Sequence, residues 1–426
     1  MHNLRATIIL VNILFFSFSV SGQKLINSPY SRFNIGLLEP AGSFRSIGMG
    51  GIGTAVRDNS SIYYMNPASY SSIDTNSFVF DFGFDYGINF LTEGSSSYFS
   101  DDMNFDHILL GFPLTKGFGI TAGLIPFSNG YYKITEEVTE LDPEYDEQTG
   151  EYISLHTGEG GFSKLFLGAG LNITKYLSVG ANMTVIFGDI ARTNKIIFGD
   201  YYYVFHNNTT EKLHLSGINF EYGAQFMKPF GDDFFFNAGI SLTPGMKYNS
   251  DYENLTYLFS AYGSVDTLKY IKNGTKAFLP GTLRTGISFG KKNKFIVGFD
   301  FTETKWSKAT ISGMGDYYAD TRSYKFGAEY IPEKYSNYSY LKRVEYRIGG
   351  HIEDNYLKID GEQIKEIGLS LGFGIPMRHP ISKTNIFFDY TKRYGSDASL
   401  FHIENQFTIG LSLNMYDYWF LKPKYD

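Results

Sequence analysis

The residue types in this chain that most often do chemistry are its eight histidines and the glycine-rich run Gly48–Gly53. The histidines show no His-x-x-x-His spacing and no adjacent glutamate of the kind that a metal site uses, so we interpret them as polar residues of loops and strand ends. The glycine run lacks the lysine of a nucleotide-binding loop, and no Gly-x-Ser-x-Gly motif marks a nucleophile. The chain has no cysteine, which excludes thiolate metal sites, disulfides and a cysteine nucleophile. We predict no enzyme activity, no metal and no cofactor.

The elements that must position any functional residue follow from a repeated pattern between Ser77 and the C-terminus. Segments of about ten residues alternate apolar with small or polar side chains, as in Ile367, Leu369 and Leu371 against Gly368 and Ser370. A period of two indicates β strands. An apolar face opposed to a face of Gly, Ser, Asp and Asn is typical of a transmembrane barrel with lipid outside and a polar lumen inside.

About fourteen such segments occur, and the connections between them are alternately short and long. The predicted strands are 77–90, 104–113, 117–127, 162–173, 176–189, 213–229, 234–244, 281–290, 294–303, 322–331, 344–352, 364–375, 384–393 and 403–414. We expect long irregular connections at 91–103, 128–161, 190–212, 245–280, 304–321, 353–363 and 394–402. The alternation predicts an all-β, 14-stranded antiparallel transmembrane β-barrel over 77–426. Sixteen strands remain possible if 128–161 or 245–280 contains a hairpin, and a soluble propeller or sandwich is the alternative fold.

The chain begins with a stretch that predicts a secretory signal over residues 1–22. Arg5 precedes an apolar segment from Ala6 to about Val20, and small residues then favour cleavage between Gly22 and Gln23. An uncleaved anchor helix is the alternative, but the apolar segment is short for a membrane span. With the barrel pattern, the signal predicts a location in the bacterial outer membrane.

The composition agrees with a barrel in a membrane. The 39 Phe and 34 Tyr suit aromatic girdles at the two membrane interfaces, where we also expect Trp306 and Trp419. Many of the 46 glycines suit lumen positions that another stretch of backbone approaches closely. The net charge of −7 argues against a nucleic-acid partner.

Residues 23–76 lack the strand alternation and are rich in glycine, so we predict a separate N-terminal hatch, or plug, inside the barrel lumen. Fourteen strands enclose a lumen wider than wall side chains alone fill, so such a barrel needs a plug. The hatch contains the motif Asn66-Pro67-Ala68.

Six motifs resemble, in order, those of the long-chain fatty acid transporter (FadL/TodX) family of outer-membrane barrels. They are the hatch run from Gly48 through Asn66-Pro67-Ala68, Gly119–Phe127, Leu279-Pro280 with Leu283–Gly286, Phe299–Ser307, Phe326–Tyr330 and Leu371–Pro376. The resemblance implies a monomeric fourteen-stranded barrel with a hatch, for passive uptake of long-chain fatty acids, aromatic hydrocarbons or other hydrophobic small molecules.

By the same resemblance, the motif for passage through the hatch comprises Asn66, Pro67, Ala68, Gly48, Gly50 and Gly51. Proline fixes a turn and asparagine can bond its own backbone, so these residues would also serve merely to fold the hatch.

Strand three contains the candidates for a lateral gate, Gly123 and Pro126. Proline removes a ladder hydrogen bond and glycine weakens pairing, so a side window could open in the wall there. A plain strand end at the outer rim is the alternative reading.

Candidates for lining a hydrophobic ligand lie in the hatch, where packing of the plug explains them equally well. They are Phe33, Ile35, Leu37 and Leu38, with Arg45 or Arg57 to meet a carboxylate.

Two other functions remain open. PorV-type barrels of type IX secretion share the fold and the hatch motif but act through protein partners, and a non-selective porin is the third possibility. For the barrel we expect outer-membrane lipid and lipopolysaccharide as partners. The acidic run 136–151 could bridge to lipopolysaccharide through divalent cations, although a solvated charge run explains it too.

Overall fold

The computed structural model describes residues 28–93, 96–143, 145–199, 204–260, 262–263, 265–311, 317–359, 361–377, 382–395 and 403–418. The predicted signal segment, its cleavage site and Trp419 lie outside the described residues.

The chain folds into a closed antiparallel barrel of fourteen strands, of which β3, β7 and β8 are each built from two segments. In chain order they are β1 (Ser77–Glu93), β2 (Ser96–Thr115), β3a (Phe118–Asn129), β3b (Tyr132–Val138), β4 (Tyr152–Asn172), β5 (Leu177–Phe198), β6 (His206–Phe230), β7a (Phe234–Thr243), β7b (Met246–Phe259), β8a (Val265–Leu279), β8b (Thr282–Lys291), β9 (Phe295–Thr304), β10 (Thr321–Tyr330), β11 (Glu345–Ile359), β12 (Glu362–Pro376), β13 (Lys383–Tyr394) and β14 (Ile403–Tyr418). Each strand pairs with the next, and β14 closes on β1 from Ile403↔Thr92 to Tyr418↔Ser77.

The predicted fold class and strand count are confirmed, but several predicted loops are wrong. The spans 91–103, 128–161, 190–212, 245–280 and 353–363 are mostly strand that extends the barrel wall. The hairpin within 245–280 is β7b–β8a, which continues β7 and β8 past Pro244 and Pro280, so the count stays at fourteen. These extensions lie where polar residues occupy both faces, and without an apolar face the period-two signal disappears.

The two faces of each strand separate as the alternation predicts. On β12, Leu369 is 66% exposed on the outer face, whereas Ser370 is 2% exposed on the inner face. On β11, Ile348 faces outward and Arg347 is buried inside. No helix among the described residues is long and apolar enough to cross a membrane.

Residues 28–76, which we call the hatch, contact the inner face of the barrel. They contain 3-10 helices at Pro29–Arg32 and Pro67–Ser72, a two-residue strand Leu37–Leu38 and the short helix α1 (Phe44–Ile47). Two further 3-10 turns, Trp306–Lys308 and Leu341–Arg343, belong to the connections of the barrel.

Candidate functional site: hatch, lumen cavity and the β2–β3 gap

Rows of glycine on neighbouring strands seat the hatch backbone. The aligned glycines are Gly119, Gly170, Gly180 and Gly223 on β3a to β6, Gly239 and Gly286 on β7a and β8b, and Gly298, Gly327 and Gly349 on β9 to β11. A Cβ at Gly180 would collide with the backbone of Pro67, and one at Gly349 would collide with the backbone of Gly50. The hatch therefore lies against the wall without intervening side chains.

Within the hatch, Gly50 and Gly51 take the left-handed conformation with φ of 68° and 83°. Glycine adopts this conformation at no steric cost. The turn aims the N–H of Gly50 at the Ser370 hydroxyl, 2.9 Å away, and packs Gly48 against Gly372 of β12. The predicted glycine motif thus forms one docking edge of the hatch.

Asn66 forms the other docking edge and is fully buried. Its Nδ2 donates to the carbonyl oxygen of Thr54 at 2.8 Å and to those of Ala224 and Ile240 at 3.2 Å each. Its Oδ1 accepts from the Ala68 N–H and caps the 3-10 helix that begins at Pro67. The motif joins the hatch to β6 and β7a.

Arg45 is held in a buried ion network rather than facing a ligand cavity. It contacts Asp58 at 2.7 Å and Glu329 at 2.8 Å, and Glu329 also accepts from Arg347 Nε at 2.7 Å. Burial raises the pKa of Asp58, but the charge of Arg45 outweighs it and holds that pKa well below its usual range. The network ties the hatch to β10 and β11.

Arg57 is likewise engaged by protein groups. Its guanidinium donates to Ser178, to Gln225 Oε1 at 3.1 Å and to the Ser71 hydroxyl at 2.9 Å. Burial lowers its pKa to about 10. Neither Arg57 nor Arg45 lines the lumen cavity, whose lining cations are Lys164, Arg284, Lys325 and Arg393.

The apolar hatch residues pack in the half of the lumen away from the short turns. Ile35 is fully buried, and Phe33, Leu37 and Leu38 pack against the same cluster. Trp306, expected at a membrane interface, is instead buried in this cluster beside Tyr356. Leu37 and Leu38 also line the lumen cavity.

The barrel wall opens between β2 and β3. Their ladder runs from Thr115↔Phe118 to Ile108↔Leu124 and goes no further among the described residues. Both strands continue, β2 paired with β1 and β3a paired with β4. Beyond Leu124, however, the facing edges of β2 and β3a are no longer paired with each other. Gly123 lies opposite Leu109 in the paired part, where a Cβ would collide with the Leu109 and Phe166 side chains.

Pro126 lies in the open part, where its missing N–H leaves no donor unsatisfied. From the next residue on, the hatch takes the place of β2. The Glu39 N–H donates to Phe127 O at 3.1 Å, and Leu38 and Leu37 pair with Ser128 and Asn129. On the opposite edge Asp106 is the extra residue of a β-bulge. The gap is thus bounded by a proline, a bulge and the hatch.

Two cavities meet at this gap. A lumen cavity of about 290 Å³ and a cavity of about 230 Å³ at the gap share Glu39, Asp85, Asn104, Asp106 and Pro126 as lining residues. The shared residues connect the lumen to the wall, and three of the five carry carboxylates. Within the described residues, no group of three or more histidine or carboxylate side chains is placed to hold a metal ion.

Burial, with repulsion from Asp106 and Asp102, raises the pKa of Glu39 to about 7. In the unfolded chain the group titrates near 4.5, so the wild-type protein loses stability as the pH rises from 4.5 through about 7. Glu39→Gln is therefore expected to raise the free energy of unfolding by about 1–2 kcal/mol at pH 8 and to change little at pH 4. Denaturant unfolding at both pH values checks this, with exposed Glu137→Gln as control. An equal effect at both pH values would contradict it.

The sequence motifs pointed to the hatch and strand three, and the glycine content predicted close backbone contacts in the lumen. The alignment of the glycines in rows and the positions of Glu39 and Asp106 were not predicted. The signal for the rows was present: glycines recur on the inward-facing positions of consecutive strands. The signal for Glu39 and Asp106 was absent, because an isolated carboxylate has no local pattern.

Solved structures share this fold at low sequence identity. A CymD monoaromatic hydrocarbon channel superposes with a TM-score of 0.55 at 15% identity, covering 91% of this chain and 99% of that one. A Pseudomonas aeruginosa FadL homologue gives 0.57 at 12% identity, covering 88% and 99%. The Pseudomonas putida toluene transporter TodX gives 0.56 at 13% identity, covering 89% and 98%. The FadL-type fold that the motifs predicted is confirmed.

No curated protein matches the sequence. A family model described as BamG matches residues 4–426, which is nearly the whole chain, and the chain therefore belongs to the BamG family.

Proposed function

We propose that this protein is a bacterial outer-membrane barrel for the passive uptake of hydrophobic small molecules, which leave the lumen sideways between β2 and β3. The observation that carries the proposal is the ladder that ends at Leu124, with cavities on both sides of the gap sharing five lining residues. A ligand that leaves through the wall enters lipid directly and needs no aqueous pore.

The seat of the hatch supports a lateral route over a vertical one. The glycine rows, Asn66 and the Arg45 network hold the hatch to opposite parts of the wall. Moving the hatch aside would leave buried carbonyls and charges without partners, at a cost of several kcal/mol. The same contacts between the hatch and the wall argue against a non-selective porin, because they keep the hatch inside the lumen.

Size favours a monoaromatic ligand over a long-chain fatty acid. The lumen cavity of about 290 Å³ is at the small end for drug-sized ligands, whereas an engineered cavity of about 150 Å³ is enough for benzene. CymD and TodX carry the descriptions of a monoaromatic hydrocarbon channel and a toluene transporter, which agrees with this class.

The gap can be blocked chemically, because the chain has no cysteine of its own. Asn104→Cys places a single thiol on the lining shared by both cavities. Labelling it with a bulky maleimide in protein-containing vesicles is expected to slow the entry of radiolabelled toluene strongly, since the label occupies the cavity of about 230 Å³ at the gap.

Two controls accompany this measurement: unlabelled Asn104→Cys, and Lys269→Cys labelled on the exposed face of β8a. Both are expected to admit toluene at the wild-type rate. Entry that is unchanged by the label at position 104 would rule out the β2–β3 route.

A second candidate, a barrel that serves protein partners, is favoured by the β7b–β8a hairpin. Between residues 265 and 277, β8a pairs only with β7b among the described residues, and its outer edge is free. Leu268 and Tyr270 are more than half exposed there. Free edges of this kind accept an extended segment of another chain. Stoichiometric co-purification of a protein partner, with no hydrophobic ligand retained, would favour this function.

A further inference from the structure

The end of the barrel that carries the short turns has cations that lie over aromatic rings. Lys291 Nζ lies 5.3 Å from the ring centre of Phe234, Lys294 Nζ lies 5.3 Å from that of Tyr330, and Arg343 Cζ lies 4.9 Å from that of Tyr340. We call Lys291, Lys294 and Arg343 the basic rim.

Two of the rings beneath the basic rim, Phe234 and Tyr330, face away from the lumen. Tyr330 is exposed on the outer face of β10, whereas its neighbour Glu329 is buried inside. Phe234 belongs to an outer stack whose other members are Phe230, Phe289 and Phe295. Aromatic side chains on the outer face at the ends of barrel strands mark the membrane interface. Cations above these rings therefore lie at the level of lipid headgroups.

Backbone and side-chain bonds make the rim one unit. The Ile331 N–H donates to Lys294 O at 2.8 Å and Lys294 Nζ donates to Pro332 O at 2.6 Å. On the outer face, the Tyr346 hydroxyl donates to Leu341 O at 3.0 Å and draws the 3-10 turn Leu341–Arg343 toward the lipid side. The turn Leu341–Arg343 thus lies on the outer side of the barrel.

The charge around the rim is positive on balance. The turn 291–294 and the connection 331–344 contain Lys291, Lys292, Lys294, Lys334, Lys342 and Arg343. Their one carboxylate, Glu333, is paired with Lys342 at 3.3 Å, and Asp232 and Asp233 of the neighbouring turn are the other acids nearby. Three cations resting on rings at headgroup level complement a phosphodiester group that carries net negative charge.

We propose that the basic rim binds the headgroups of anionic phospholipids in the periplasmic leaflet. The aromatic stack faces the glycerol and upper acyl region, and Lys291, Lys294 and Arg343 lie along the rim at the level of the phosphates, where they meet separate headgroups. Because the rings point sideways into the bilayer, the occupant is a lipid rather than a protein approaching from below. The site is independent of the lumen and of what passes through it.

The test reconstitutes the full chain into nanodiscs of equal parts phosphatidylglycerol and phosphatidylcholine, extracts it with mild detergent and identifies the retained lipids by native mass spectrometry. The wild-type protein is expected to retain phosphatidylglycerol several-fold over phosphatidylcholine. Lys291→Gln/Lys294→Gln/Arg343→Gln is expected to bring that ratio close to one, since a cation near an anionic surface favours an anionic lipid by a factor of about five.

The matched control is Lys269→Gln/Lys272→Gln/Lys276→Gln on the exposed strand β8a, which removes the same three positive charges at the other end of the barrel. It is expected to keep the wild-type ratio. Heat-modifiable migration in gels shows whether each variant is a folded barrel. A rim variant that folds and keeps the ratio, a control that loses it equally, or displacement of the lipid by soluble glycerol phosphate would overturn the proposal.

Discussion

Asn66→Ala is expected to lower the free energy of unfolding by about 2–4 kcal/mol, because it leaves buried carbonyl groups without their donor and opens a small cavity. Nδ2 of Asn66 donates to one hatch carbonyl, Thr54 O, and to two wall carbonyls, Ala224 O and Ile240 O. One side chain thus joins the hatch to two strands. The loss also removes the cap of the 3-10 helix at Pro67.

Denaturant unfolding of the barrel in lipid vesicles measures this change. Asn59→Ala, at an exposed hatch position, is the matched control and is expected to stay within about 0.5 kcal/mol of wild type. Conductance in planar bilayers supplies a second readout, since a loosened hatch is expected to pass ions where the wild-type hatch does not. A variant as stable as Asn59→Ala would show that the motif is dispensable for seating the hatch.

Arg45→Met is expected to cost about 3–5 kcal/mol, since it leaves the carboxylates of Asp58 and Glu329 buried without their main counter-ion. Both contacts are shorter than 3 Å and both carboxylates are largely enclosed. Methionine keeps much of the volume of the arginine stem, so the loss reports charge rather than packing.

Arg322→Met, at an exposed pair with Glu303 on the barrel wall, is the control and is expected to cost less than about 1 kcal/mol. Arg45→Met combined with Glu329→Gln is expected to cost less than the sum of the two single changes, because the second removes one of the stranded charges. Additive costs, or a cost for Arg45→Met no larger than that for Arg322→Met, would contradict an energetic role for the network.

The ion network also bears on which residues a ligand meets. The sequence analysis places Arg45 and Arg57 in the hatch and predicts that one of them meets the carboxylate of a ligand. In the folded protein Asp58 and Glu329 neutralise Arg45, and polar groups of β5 and β6 hold Arg57. The partner Glu329 lies 284 residues away from Arg45 along the chain. No local pattern in either stretch contains that pairing.

In strand three, too, the sequence identifies the residues but the fold decides their role. Gly123 and Pro126 are recognisable from the sequence as residues that weaken a ladder. Gly123 nevertheless remains paired with β2, and the separation begins just after Leu124. Where the ladder ends depends on the bulge at Asp106 in the neighbouring strand and on the hatch strand Leu37–Leu38, which takes over the free edge.

By itself the sequence determined the barrel and its fourteen strands, and it predicted a hatch before the first strand. Successive side chains of a strand point to opposite sides, so the alternation of neighbouring residues shows which face meets lipid and which faces the lumen. Only the tertiary structure decided how the hatch is seated, which cations are already paired, and where the wall opens. Those features depend on register between strands and on contacts between residues hundreds of positions apart, and alternation within one strand carries no information about either.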